Sequence, residues 1–154
     1  MNVRAFLSIL TVAFALLSSP AFADRLSSFR LGPEGVTIDD KNSGLMWQRS
    51  GKTFLTWGRA VKYCRDLELA GFGDWRLPQS AELMTLVDTG KKNPSLSTTY
   101  FPDTKPSGFW TATTGSKLKF EGAWYVNFYA GTEHYGVKTY EHYVRCVRGR
   151  MRIR

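Results

Sequence analysis

Trp57-Gly58-Arg59-Ala60-Val61-Lys62-Tyr63-Cys64 organises the rest of the chain. Trp57, Ala60, Val61 and Cys64, continued by Leu67, recur at steps of three and four, the spacing of one helical face. Thr56 stands ahead of this run as an N-cap and Gly71 follows it as a stop, so a helix is expected from there to about Ala70. The stripe places Cys64 on the buried side, where a structural disulfide belongs and a reactive thiol usually does not. The second cysteine, Cys146, lies in Tyr143-Val144-Arg145-Cys146-Val147, a segment of strand composition.

The compartment follows from the other end of the sequence. Arg4 supplies a positive n-region, Ala5 to Leu17 form a 13-residue apolar run, and Pro20-Ala21-Phe22-Ala23 offers small residues for cleavage. The run is shorter than the roughly 20 residues a membrane-spanning helix needs. Residues 1–23 therefore read as an export signal, and 24–154 as one domain of 131 residues with no transmembrane segment after cleavage. A periplasmic or secreted location permits disulfides, and two cysteines allow one intramolecular pairing. Two buried free thiols and a bridge between chains are the alternatives. The intramolecular bond restricts the unfolded chain by about 4 kcal/mol in the loop-entropy account.

Outward from the helix, Val36-Thr37-Ile38 and Leu45-Met46-Trp47 flank Asp39-Asp40-Lys41-Asn42-Ser43-Gly44, the composition of a turn, and make a hairpin. Ser80 reads as the N-cap of a second, short helix through Leu83, Met84 and Val87. Gly90 to Gly108 holds three prolines and many hydroxyl residues and is expected to be a long ordered loop. Phe109 to Thr114 and Ala123 to Ala130 are strand-like, the latter with Trp124, Val126 and Phe128 on one side and Tyr125, Asn127 and Tyr129 on the other. A hairpin, two helices, a loop and a run of antiparallel strands make an α+β class.

Seven blocks then carry a family resemblance. They run from Gly35–Trp47 and Trp57–Cys64 through Gly73-Asp74-Trp75-Arg76-Leu77-Pro78 with Glu82-Leu83. Tyr100-Phe101-Pro102, Phe109–Thr113, Ala123–Phe128 and Val144–Arg148 follow. In this order the sequence resembles the Lcl C-terminal domain family, named for the tip domain of a bacterial collagen-like adhesin. The resemblance implies a C-type-lectin-like fold, in which a disulfide commonly joins the first helix to the last strand. The founding adhesin is associated with sulfated host glycans. The collagen repeats that would drive trimerisation are absent from this sequence.

Chemistry-bearing residues are sparse. The Glu-Pro-Asn, Gln-Pro-Asp and Trp-Asn-Asp signatures of calcium-dependent lectins do not occur, and Asp39, Asp40, Asp74, Asp88 and Asp103 are scattered. Asp39 and Asp40 are read as turn-stabilising. His134 and His142 stand eight apart without metal-ligand spacing and are read as strand or loop histidines. No Gly-x-Ser-x-Gly elbow is present, and Glu121, Glu133 and Glu141 single out no carboxylate pair. A formylglycine-generating enzyme shares the lectin-like fold and Arg-Leu-Pro wording but relies on a close reactive cysteine pair, whereas both cysteines here are read as structural. Neither an enzyme, a cofactor nor a metal is expected.

Charge and aromatic rings say more. The chain is formally +8, about +7 without the signal, with a pI near 9.7. Such charge favours anionic partners, and export argues against nucleic acid. Arg145, Arg148, Arg150, Arg152 and Arg154 crowd the last ten residues, and the alternation with Met151 and Ile153 leaves a strand extension and a frayed basic tail equally open. The five tryptophans read as core, whereas Tyr125, Tyr129, Tyr135, Tyr140 and Tyr143 suit a binding face. The expected ligand site is therefore Arg145, Arg148, Arg150, Arg152 and Arg154 with Tyr129 and Tyr143. Asp74, Trp75, Arg76, Leu77 and Pro78 are expected to be architectural. The expected function is non-catalytic recognition of an anionic glycan or envelope polysaccharide; the alternative is an interaction module for an envelope protein.

Overall fold

Asp40 closes the first hairpin. Its carboxylate accepts from Ser28 Oγ (3.1 Å), the Asn42 amide (2.9 Å) and Ser43 Oγ (2.6 Å), which folds the polar connection back on itself. The flanking strands β2 (Thr37–Asp40) and β3 (Leu45–Gln48) pair with Asp40 opposite Leu45. The computed structural model describes residues 28–115 and 121–152; the export signal expected over 1–23 lies outside them. Strand β1 (Phe29–Leu31) adds to β2, and β9 (Val147–Arg148) to β3, giving a four-stranded sheet ordered β1-β2-β3-β9.

A second sheet is ordered β4-β8-β5-β6-β7, from β4 (Lys52–Thr56), β5 (Gly108–Gly115), β6 (Gly122–Asn127), β7 (Thr132–Val137) and β8 (Glu141–Val144). The expected antiparallel run is broken at its centre, because β5 and β8 pair in parallel at Phe109 and Tyr143. The segment read as one last strand is two. β8 belongs to one sheet and β9 to the other, with Arg145 and Cys146 at the crossing.

Helix α1 (Trp57–Arg65) starts after Thr56 as expected but stops short of Ala70. Ala70 and Gly71 both take positive φ (54° and 76°), the left-handed pair that closes a two-residue turn, and Leu69 and Phe72 bond across it. Helix α2 (Ser80–Met84) begins one residue earlier than read, because Gln79 is the N-cap and forms a reciprocal capping box with Glu82. It ends before Val87. From there to Gly108 the chain is a long loop without helix or strand.

Strand β5 explains why two cores form. Phe109 and Trp110, adjacent and on opposite faces, are both buried. Phe109 joins Ile38, Trp47, Leu83, Phe101, Val126 and Phe128 between the small sheet, α2 and the long loop. Trp110 joins Leu55, Ala60, Cys64, Trp75, Leu77 and Cys146 beneath α1. Indole N–H groups stitch this second core: Trp110 donates to the Leu55 carbonyl (2.8 Å) and Trp57 to that of Thr111 (2.9 Å). Trp57 and Trp124 are half-buried rather than enclosed. Cys64 and Cys146 are disulfide-bonded across 82 residues, fixing α1 to the crossing between sheets.

Candidate functional site

The Asp74–Pro78 segment is built into the frame. Trp75 is buried and its N–H donates to the carbonyls of Phe72 (3.0 Å) and Leu69 (3.3 Å), locking the turn that ends the α1 region. Arg76 reaches both Glu82 oxygens (2.7 and 2.6 Å) and the Gly149 carbonyl (2.8 Å), while its backbone pairs with Val147. Leu77 is buried, and Pro78 accepts from the Ala112 amide. Asp74 grips Arg148 (2.6 and 3.2 Å), whose hydrogen bonds hold its carboxyl below the usual value. The Arg148 guanidinium lies 3.6 Å from the Phe72 ring centroid.

The arginines expected to form one binding face are divided by the fold. Arg145 lies inside rather than on the open face expected of it, at 1% exposed. Its guanidinium donates to the carbonyls of Gln48 (2.8 Å) and Arg49, to Thr104 Oγ1 (2.8 Å) and to Asp103 (3.3 Å), and rests on Phe101. Burial pulls it down to about 10, opposed by Asp103, so it stays charged at neutral pH. The strand period that exposes alternate residues fails here because the chain is leaving one sheet for the other. Arg148 is committed to Asp74. Arg150 and Arg152 are exposed, and Arg154 lies outside the described residues.

Residues 149–152 are neither a strand nor loose. Gly149 takes φ +88° against the Gly44 carbonyl, a turn and close approach that favour glycine. The Arg152 amide donates to Ser43 O (2.8 Å), and Met151 packs on the first core. Arg152 therefore lines a pocket of about 290 Å³ with Ser28, Asp40, Asn42, Ser43 and Thr85. Sequence reading missed this pocket, whose walls come from four separate segments.

The tyrosines lie elsewhere. Tyr129 is exposed at the β6–β7 turn, its carbonyl accepting from Asn93. Tyr143 stacks with Phe109 and packs against exposed Phe54; it shares a cleft of about 140 Å³ with Lys105, Asp103 and the inward-held Arg145. His134 and His142 flank the Tyr125 ring, and burial lowers the His142 pKa. Among the described residues no group of three His, Cys, Asp or Glu is placed to hold a metal, and no helix is long and apolar enough to cross a membrane.

These features define a disulfide-tied α+β domain of two sheets, with a basic C-terminal edge. The Lcl C-terminal domain family matches residues 36–148, and the chain belongs to that family. The match ends before Arg150 and Arg152. No curated protein matches the chain.

Proposed function

We propose that the protein is an exported, non-catalytic recognition module for anionic polysaccharide, with a C-type-lectin-like fold. One observation carries the binding reading: the acids are largely engaged while many cations are not. Asp40, Asp66, Asp74, Asp88, Asp103 and Glu82 all accept bonds from protein donors. Lys41, Lys52, Arg59, Lys105, Arg150 and Arg152 are exposed, and no salt bridge holds any of them among the described residues. Unpaired guanidinium and ammonium groups raise the local positive potential and grip sulfate or carboxylate. The helix-to-crossing disulfide and the family membership support the lectin-like fold; the same disulfide supports export, to periplasm or medium.

A second reading, a docking module for an envelope protein, is favoured by exposed Phe54 and Leu31 on β4 and β1, which end their sheets. Salt distinguishes the two. Retention on immobilised heparin should fall steeply as ionic strength rises. It should also fall when Arg150→Gln and Arg152→Gln are combined. Substitution is preferred to truncation after Gly149, which would also remove the packed Met151. Retention that ignores both salt and these substitutions would sink the glycan reading.

A further inference from the structure

We propose that the Arg152 pocket is a subsite for a single uronic acid residue, a sugar carrying one carboxylate and free hydroxyls. The inference rests on the anionic-polysaccharide reading and narrows it. Arg152 supplies a guanidinium with no salt-bridge partner among the described residues, held in place by its own amide on Ser43 O. The opposite character comes from Asp40, which is 5% exposed and lies among the hydroxyls of Ser28 and Ser43. Three hydrogen bonds to its two oxygens leave it room to accept from a ligand hydroxyl, since a carboxylate has about four lone-pair sites. Thr85 Oγ1 donates to the Glu82 carbonyl (2.7 Å), so what it has left to offer the pocket is its lone pairs, as acceptors.

A buried carboxylate beside an open guanidinium selects against dense negative charge. A persulfated residue would set sulfates against Asp40 and offer it few donors. A uronic acid places its one anion at Arg152 and its hydroxyls at Asp40 and Thr85, with Met151 as apolar floor. The cavity, about 290 Å³, lies at the small end of ligand pockets, which begin near 300 Å³, and suits one sugar ring rather than an oligosaccharide.

The test titrates sodium glucuronate and glucose into the oxidised protein at fixed ionic strength by ligand-observed NMR, with heparin retention measured in parallel. Glucuronate should bind saturably and about tenfold more tightly than glucose, the value of one charge-assisted hydrogen bond. Arg152→Gln should abolish that difference. Thr85→Val should weaken glucuronate about threefold. If glucuronate binds no better than glucose, or ignores Arg152→Gln, the inference is overturned. Heparin retention persisting in that case leaves the broader reading standing; its absence removes both.

Discussion

Between Arg148 and Arg152 the chain passes from a region of matched charge to one of unmatched charge. Arg148 and Arg76 are held by Asp74 and Glu82, and through them the Asp74–Pro78 segment joins α2, β9 and the turn after α1. Four residues on, Arg152 is fixed by its backbone and leaves its side chain unpaired among the described residues. The same residue type thus serves architecture where an acid meets it and, in the function proposed above, recognition where none does. Local sequence composition does not distinguish the two; the partner, dozens of residues away, does.

Breaking the matched region should cost most. Trp75→Ala removes a buried indole and the lock on the Leu69–Phe72 turn, and should lower stability by about 3–5 kcal/mol in denaturant unfolding. Wild-type stability with lost ligand binding would turn the segment into a site. Asp103→Asn comes next. It leaves Arg145 buried without its carboxylate partner, and should cost about 2 kcal/mol, less than a fully buried pair because Asp103 is 39% exposed. An unchanged unfolding midpoint would show that carbonyls alone suffice for Arg145.

Asp74→Asn should have a small effect whose pH dependence is diagnostic. Arg148 depresses the Asp74 pKa in the folded state below 3.8. The contribution is therefore present above the unfolded value and is lost as pH falls through the folded one. The difference in melting temperature between wild type and Asp74→Asn should hold from pH 7 to about 5 and vanish towards about pH 2. A difference that does not vary with pH would assign the effect to packing. The paired Arg150→Gln and Arg152→Gln substitutions complete the series, with stability expected to change by under about 0.5 kcal/mol while heparin retention falls.

Periodic segments were legible in the sequence. The β2–β3 hairpin, the start of α1, Asp40 at the turn, the long loop and the Cys64–Cys146 pairing all follow from apolar spacing, turn composition and cysteine count. The early end of α1 was not, because the apolar spacing runs on to Leu67 while the helix stops at Arg65. Strand β4 carries Lys52 and exposed Phe54, so its alternation does not read as half-buried; β7 is polar for the same reason. The interior position of Arg145 was hidden most deeply. Its acceptors come from residues 48, 49, 103 and 104, which only the tertiary fold brings together.

The passage of one segment from β8 into β9 has a consequence for how the domain comes apart. A strand that ends one sheet three residues before it enters the other cannot be withdrawn from either alone. The disulfide at its midpoint adds α1 to the same knot. Partial opening is then confined to the periphery, to β1, β7 and the loop before Gly108, while the centre melts as one cooperative unit. A domain tied in this way is expected to resist being clipped in half, which limited proteolysis of the oxidised protein would check.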